Sequence, residues 1–317
     1  KCAILIIAID TIIIVSFFMR RNVMKYSKTI LESYAQPISN TEKEQCEHAI
    51  DMVKDALVEF GYKISNARKN YSSDGYAFYY ELRESDFSST IIVLVQGSYA
   101  NNTNIKRYSD VDVSVISKPI IPISLEKSFN NFKTKIYNAL YRKFGSDVVR
   151  KNKSINVKGN TYRKSIDVVP AYSINTNLED GIQFLTDKGE KIINYPLKQI
   201  KNENSKNSQT KYMFKKYVRI LKNIKEDMEE SYIQSAKEVG SFQVESLLWN
   251  LDDSVFNKYI TLGYVLEEIL DSLKNKKYLL DFLYESNGIK KLCPNPEMKK
   301  SLQKFIDDLT EYYRYEG

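Results

Sequence analysis

Histidine is almost absent from the sequence, with His48 alone among 317 residues. A zinc site of the HExxH type needs two histidines and is therefore excluded. A Ser-His-Asp hydrolase needs a histidine beside its nucleophile, and His48 lies instead in the helical pattern "TEKEQCEHAIDMVKDAL". Any catalysis by this chain must therefore use carboxylates, lysines or bound metal ions.

Cysteine is also scarce, since Cys2, Cys46 and Cys293 are odd in number, far apart and without metal-ligand spacing. This usage indicates a reducing compartment, and we expect the protein in the cytoplasm. The net charge of +7 and the pI near 8.9 are mild. They suit a protein that handles phosphates and equally suit an ordinary solvated surface, so charge alone does not decide the function.

Long apolar runs are missing except at the start, where residues 2–19, "CAILIIAIDTIIIVSFFM", contain one charged residue, Asp10. Two arginines follow this run, an order that disfavours a cleaved secretory signal. Two interpretations remain for the apolar segment of residues 1–23. It is either an inner-membrane anchor that leaves the catalytic part in the cytoplasm, or the result of a start placed too far upstream, with Met19 or Met24 as the true beginning. A carboxylate at mid-span is costly in a membrane and favours the second.

Two amphipathic helices are predicted before residue 150. Residues 41–60 carry apolar residues at spacings of three and four, and Thr41 with Glu44 has the spacing of a capping box. Residues 126–145, "EKSFNNFKTKIYNALYRKFG", form the second helix, which Gly145 ends.

Strands are predicted between and after these helices. Residues 76–96 contain "YAFYYEL" and "STIIVLVQ", which are rich in aromatic and β-branched residues. The segment "DVDVSVI" alternates polar and apolar residues, so that its aspartates share one face and its valines the other. A hairpin follows, made of "SINV", a turn at "KGN", and "RKSIDVVPAYS".

The pattern changes after the Tyr195-Pro196 step. The segment "LKQIKNENSKNSQT" is polar and typical of a loop, and helical patterns continue from Lys211 to the end, with no strand pattern beyond residue 200. A β-rich part followed by an all-helical part predicts an α+β protein with a catalytic lobe at residues 24–200 and a helical lobe at residues 201–317. We also expect the helix at residues 41–60 to pack across both lobes.

Three aspartates and a Gly-Ser turn form the strongest candidate site. Asp110 and Asp112 alternate on one strand face directly before "VSVI", and Asp167 lies on a later strand. Carboxylates are the ligands that Mg²⁺ prefers, and two such ions stabilise the attacking and leaving oxygens of a phosphoryl displacement. Gly97 and Ser98 follow a buried strand, where a small turn with free N–H groups admits a triphosphate. Each feature alone is common in solvated strands and turns, and the hypothesis rests on their combination.

This combination resembles the DNA-polymerase-β-like nucleotidyltransferases, and in particular the bacterial cGAS/DncV-like nucleotidyltransferases (CD-NTases). The similar segments are "GSYANNTNIKRYSDVDV", "SIDVVPAY", "INYPLKQIKNENSKNSQTKYMFKKYVRILKNIK" and "SFQVESLLWNL". The resemblance covers residues 24–317 and leaves out the apolar N-terminal segment. It implies a nucleotidyltransferase lobe with a mixed sheet flanked by helices, followed by an all-helical lobe.

The resemblance also implies the roles of the site residues. Asp110 and Asp112 would bind two Mg²⁺ ions, for which Mn²⁺ can substitute. Asp167 would complete the metal site and help to deprotonate the attacking ribose hydroxyl, while Ser98 and the backbone of Gly97 would hold the donor triphosphate. The implied activity is template-independent joining of nucleoside triphosphates, ATP among them, into a cyclic di- or oligonucleotide. In this family that product is a second messenger that activates a downstream effector in antiphage defence (CBASS).

A basic helix offers further nucleotide contacts. From Lys211, a period of 3.6 residues places one face of lysine and arginine opposite one apolar face. The basic face consists of Lys211, Lys215, Arg219 and Lys222, and the apolar face of Met213, Tyr217, Ile220, Leu221 and Ile224. We expect the apolar face to dock on the core and the basic face to border the cleft, with Lys211 and Lys215 binding phosphates.

Other functions stay open from the residues alone. One alternative is a nucleotidyltransferase that modifies an RNA or small-molecule acceptor, of the tRNA, poly(A), oligoadenylate-synthetase or antibiotic-modifying type. Another is a catalytically silent scaffold that binds nucleic acid or a membrane. The modest charge argues against an obligate nucleic-acid partner, and we expect no membrane attachment unless residues 2–19 are a true anchor. Gly317 matches the C-terminal glycine that a ubiquitin-like ligase conjugates in some CD-NTase systems.

Overall fold

The structure, a computed structural model, describes residues 25–70, 76–84, 90–106, 110–118 and 125–314. The expectations about the apolar N-terminal segment and about Gly317 fall outside these residues. Within the described ranges, no helix combines the length and the apolar character that crossing a membrane requires.

The described part of the chain forms one mixed sheet of nine strands. The strands are β1 (Tyr62–Asn70), β2 (Phe78–Glu84), β3 (Thr90–Gln96), β4 (Val111–Ser117), β5 (Val148–Arg150), β6 (Ile155–Val157), β7 (Ile166–Ser173), β8 (Ile182–Leu185) and β9 (Lys191–Asn194). The main order is β1-β2-β3-β4-β7-β6-β5, with β8 and β9 attached to β7. The β4–β7 pair is parallel and the other pairs are antiparallel. The predicted strands and the predicted hairpin, β6–β7, are confirmed.

Helices flank the sheet, and helices joined by short loops follow it in the described residues after the last strand. Those that come before or between strands are α1 (Lys28–Tyr34), α2 (Asn40–Phe60), the single turn α3 (Gly97–Ala100) and α4 (Leu125–Phe144). After the last strand come α5 (Pro196–Gln209), α6 (Phe214–Glu230), α7 (Gln234–Glu238), α8 (Ser241–Trp249), α9 (Asp253–Asn257), α10 (Leu262–Lys276) and α11 (Pro296–Arg314). Within the described ranges, short 3₁₀ turns lie at Gly145–Asp147, Leu178–Asp180 and Lys277–Phe282. Residues 201–314, all of them described, contain no strand and only an isolated bridge between Tyr284 and Lys291.

The apolar residues form two separate cores. The first lies between the sheet and helices α2 and α4, and its last members along the chain are Leu197 and Ile200. The second is built by the helices from Phe214 onward and also receives Leu31 of α1. The α+β architecture with a following helical part is therefore confirmed, with the addition that α1 packs on the helical part.

Three local expectations need correction. Helix α2 is capped by Ser39, whose side chain and that of Glu42 form the capping box, so the Thr41–Glu44 pairing is wrong by two residues. The buried side chains of α2 all belong to the first core, and it does not span both cores. The polar segment after Pro196 is the helix α5, because Leu197 and Ile200 anchor it while its buried polar side chains find partners inside the protein.

Candidate active site

The strand order brings two of the predicted aspartates side by side. Asp112 on β4 lies opposite Asp167 on β7, and on its other flank it lies opposite Gln96, the last residue of β3. Because β4 and β7 run parallel, the beginnings of both strands meet at the same edge of the sheet. Asp110 is exposed and precedes β4, two residues before Asp112, which places it on the same side of the strand.

The Gly-Ser turn lies at this same edge of the sheet. Gly97 has φ +69°, a left-handed conformation that favours glycine, and it starts the single turn α3 directly after β3. A β carbon at Gly97 would lie 2.4 Å from Oδ2 of Asp112. The absence of a side chain at Gly97 therefore lets the turn touch the Asp112 carboxylate.

Burial and charge act together on Asp112. Burial, and then the neighbouring carboxylates of Asp167 and Asp110, raise the pKa of Asp112 to about 7, against the lowering effect of Lys222 and Lys151. Ionisation of a carboxyl group in this setting is energetically unfavourable, and a bound cation would stabilise the ionised form.

Asp167 is fixed by two side chains from the neighbouring turn and strand. Lys151 Nζ lies 3.0 Å from Oδ1 and 3.3 Å from Oδ2 of Asp167. Asn156, which faces Asp167 across the β6–β7 pair, donates from Nδ2 to Oδ1 at 2.9 Å and to Ser165 Oγ at 3.1 Å. Sequence reasoning missed both residues. Asn156 lies in the first strand of the predicted hairpin, whereas Lys151 lies three residues before that hairpin.

The carboxylates suit a divalent cation by chemistry, but they do not yet surround a common point. Within the described ranges, no three His, Cys, Asp or Glu side chains are gathered closely enough to hold a metal ion. The group facing Asp167 is the Lys151 ammonium, and Asp110 is exposed. Three carboxylates, on β4, on β7 and directly before β4, nevertheless match the hard oxygen donors that Mg²⁺ or Mn²⁺ takes, and burial disfavours the charge on Asp112 without such an ion.

The basic face of α6 is not arranged as expected. Lys211 is exposed in the turn between α5 and α6, with φ +51°. Lys215 is buried, its Nζ bonded to Asn204 Oδ1 of α5 and its backbone N–H donating to Asn207 Oδ1 at 3.2 Å. Arg219 and Lys222 are buried as well. The prediction of one open basic face is therefore wrong, whereas the apolar docking face is confirmed by the burial of Tyr217, Ile220, Leu221 and Ile224.

The buried basic residues of α6 bind the loop that follows the Gly-Ser turn. Lys222 donates to the carbonyl oxygen of Thr103 at 3.0 Å and forms a buried ion pair with Glu245 of α8. Arg219 donates to the carbonyl oxygens of Asn102 and, at 2.8 Å, Ala35. These contacts fasten the helical part of the chain to the candidate site.

Thr103 connects these contacts to Ser98 through hydrogen bonds. Its backbone N–H donates to the Ser98 carbonyl oxygen at 2.9 Å, and its hydroxyl donates to Glu245 Oε1 at 2.8 Å. The position of Ser98 therefore depends on a buried carboxylate far along the chain. The signal in the sequence was Glu245 itself, a charged residue inside the apolar run of "SFQVESLLWNL".

Comparison with known proteins gives consistent matches over most of the chain. Residues 201–314 match the family described as the cGAS/DncV-like nucleotidyltransferase C-terminal helical domain. The cyclic GMP-AMP synthase CdnE03 of Staphylococcus schleiferi is 33% identical over 319 residues, which cover 93% of this chain and 98% of that protein. The cyclic dipyrimidine nucleotide synthase CdnE of Cecembia lonarensis is 34% identical over 271 residues, covering 79% and 84%.

A solved structure extends the match to the fold. The structure of the CdnE cyclic dinucleotide synthase of Elizabethkingia meningoseptica with GTP and Apcpp superimposes with a TM-score of 0.72 at 26% identity. The match covers 92% of this chain and 100% of that one.

Proposed function

This chain belongs to the cGAS/DncV-like nucleotidyltransferases, and we propose that it joins nucleoside triphosphates, without a template, into a cyclic dinucleotide or oligonucleotide. The observation that carries the proposal is the pairing of Asp112 with Asp167 on parallel strands. Asp112 also contacts the turn at Gly97 so closely that no side chain would fit at that position. The relatives with named products, a cyclic GMP-AMP synthase and a cyclic dipyrimidine nucleotide synthase, support a cyclic product here.

We assign the metal site to Asp110, Asp112 and Asp167. These carboxylates would hold two Mg²⁺ ions, or Mn²⁺ in their place, which supply electrostatic stabilisation of the attacking and leaving oxygens. Asp167 would accept the proton of the attacking ribose hydroxyl. That oxygen forms a bond to the α-phosphorus of the donor, the bond from this phosphorus to the bridging oxygen breaks, and pyrophosphate leaves. The same step repeated once for each further phosphodiester bond, with loss of one pyrophosphate each time, closes the ring.

We assign the donor triphosphate to the turn that begins α3. The turn directly follows Gln96, which lies opposite Asp112, so it stands at the same edge of the sheet as the carboxylates, and small residues allow close approach. Lys211 is exposed and is the better placed of the two predicted lysines to bind phosphate, since Lys215 is already bonded to Asn204.

The two apolar cores support the division of labour between two lobes. We propose that residues 24–200 form the catalytic lobe and residues 201–317 the helical lobe, with α1 added to the latter by packing. We further propose that the protein works in the cytoplasm and that its product activates a separate effector. Conjugation at Gly317 stays a prediction, because that residue lies outside the described ranges.

Mass spectrometry of reaction products tests the proposal. The purified chain is incubated with all four nucleoside triphosphates and Mg²⁺ or Mn²⁺, with no acceptor added, and we expect a cyclic product and pyrophosphate. Asp110→Asn, Asp112→Asn and Asp167→Asn should each abolish consumption of the triphosphates. Asp252→Asn, an exposed carboxylate of the helical lobe, serves as the matched control and should retain activity.

Two results would overturn the proposal. A transfer that proceeds only after an RNA or a small hydroxyl-bearing acceptor is added would assign the chain to the acceptor-modifying alternative. Unchanged turnover in the three aspartate variants would show that the chemistry lies elsewhere in the protein.

A further inference from the structure

Lys151 occupies a position that none of the proposed roles explains. It lies in the turn between β5 and β6, and its ammonium group is within hydrogen-bonding distance of both oxygens of Asp167, at 3.0 and 3.3 Å. The Lys151 side chain is 46% exposed and that of Asp167 is 23% exposed. A cation that approaches Asp167 therefore meets a carboxylate whose two oxygens are already engaged.

The turn that carries Lys151 is held from beneath by a second lysine. Lys133 of α4 is buried, and its ammonium donates to the carbonyl oxygens of Lys151 at 2.9 Å and Asn152 at 3.0 Å, and to Asp187 Oδ1 at 2.9 Å. A buried ammonium group is tolerated only when its donors are satisfied, so these three bonds are mutually dependent.

Asp187 strengthens the same support. It also accepts hydrogen bonds from Arg150 at 3.0 and 3.2 Å, and its backbone N–H donates to the carbonyl oxygen of Asn152 at 2.9 Å. The backbone of Lys151 is therefore fixed, and only its side chain is free to approach or leave Asp167.

The Lys151 ammonium also affects the repulsion between the two neighbouring aspartates. Asp112 and Asp167 are direct partners on adjacent strands, and their carboxylates repel each other unless a positive charge lies nearby. Lys151 supplies such a charge, and it acts on Asp112 as well as on Asp167. A divalent cation at the same carboxylates would supply it too, and both cannot bind the same oxygens of Asp167.

We propose that Lys151 is a positioning residue that serves as the counterion of Asp167 and competes with the divalent cation for that carboxylate. The inference rests on the proposed function, in which Asp167 is a metal ligand. Loss of the Lys151 charge should then strengthen metal binding to the protein, whereas loss of an ordinary site residue would weaken it. This opposite sign separates competition from a supporting role.

Binding of Mn²⁺ alone to the full chain, measured by electron paramagnetic resonance of the free ion, tests this directly. Lys151→Met removes the charge and keeps the length of the side chain, and we expect Mn²⁺ to bind about fivefold more tightly, the effect of losing one partly exposed ion pair. Lys151→Arg keeps the charge and should bind Mn²⁺ like the wild type. Lys153→Met, an exposed lysine of the same turn, is the matched control and should leave the affinity unchanged.

The three aspartate variants separate failure of this inference from failure of the metal site. Weaker Mn²⁺ binding in Asp112→Asn and Asp167→Asn, together with equal affinity in Lys151→Met and the wild type, would overturn the role of Lys151 and leave the metal site standing. Weaker binding in Lys151→Met would also overturn it. Unchanged Mn²⁺ binding in all the aspartate variants would overturn the metal site and this inference with it.

Discussion

Substitution of Gly97 by alanine should disable the site through a single added methyl group. The new β carbon would lie 2.4 Å from Oδ2 of Asp112, whereas contacts below 3.0 Å are essentially never seen, so the separation of the two groups must increase by at least 0.6 Å (3.0 minus 2.4). Movement of Asp112 separates it from Asp167 and from the metal ions that we propose. Misplacement of a reacting group by about 1 Å costs roughly 100-fold in rate.

The stability cost has two parts that a control variant separates. A residue with a β carbon in the left-handed region costs roughly 1–2 kcal/mol, and forced contact inside a packed site adds about 1–3 kcal/mol. Gly189 has φ +82° and nothing within 4 Å of its β position, so Gly189→Ala carries only the first cost. At about 2 °C per kcal/mol for a chain of this size, we expect Tm to fall by about 2–4 °C in Gly189→Ala and by about 4–10 °C in Gly97→Ala.

Thermal unfolding and product formation are measured on both variants under the same conditions. We expect Gly189→Ala to keep nearly full activity and Gly97→Ala to lose about two orders of magnitude at a temperature where both remain folded. Equal activities in the two variants would refute the reasoning, because they would mean that the turn accommodates a methyl group without disturbing Asp112.

Two further predictions concern the buried polar groups around the site. Thr103→Val removes the hydroxyl that binds Glu245, and Thr103 also positions Ser98. We therefore expect KM for the triphosphates to rise about tenfold with a smaller change in kcat, and we expect Thr103→Ser to restore KM. An unchanged KM in Thr103→Val would contradict this. Burial and the charge of Glu245 raise the pKa of Glu203 to about 8, with Lys215 opposing the shift. Because the folded protein favours the protonated form of Glu203, the raised pKa contributes its full stability below the ordinary glutamate pKa, and this contribution is lost as the pH rises through about 8. The Tm of the wild type should therefore fall between pH 5 and 8 more steeply than the Tm of Glu203→Gln.

The local parts of the site could be predicted from the sequence. The alternation of "DVDVSVI" fixes which residues share a face of β4, and a Gly-Ser step after a buried run predicts a tight turn. The facing of Asp112 and Asp167 could not be derived in the same way. It depends on a parallel pairing between strands far apart in the sequence, where no hairpin turn joins the two strands and fixes their register.

Charged residues account for most of what the sequence did not reveal. Amphipathic patterns treat lysine and glutamate as solvent-exposed, yet Lys222, Lys133 and Glu245 are buried because each has a partner from a distant segment. Helix α5 escaped prediction for the same reason. Its buried face includes Glu203, which accepts hydrogen bonds from Gln199 and Ser286.

The buried ion pair between Lys222 and Glu245 has a cost that stability alone does not explain. Desolvation of two charges often exceeds their attraction, and well-packed apolar residues of similar volume stabilise a core equally well or better. Apolar residues in these positions would form no hydrogen bonds and would therefore not orient Thr103. Lys222 and Glu245 bind the carbonyl oxygen and the hydroxyl of Thr103, which in turn holds Ser98. These hydrogen bonds therefore fix the turn to which we assign the triphosphate. In the division into two lobes that we propose, the helical lobe would contribute to the chemistry by orienting a turn that belongs to the catalytic lobe.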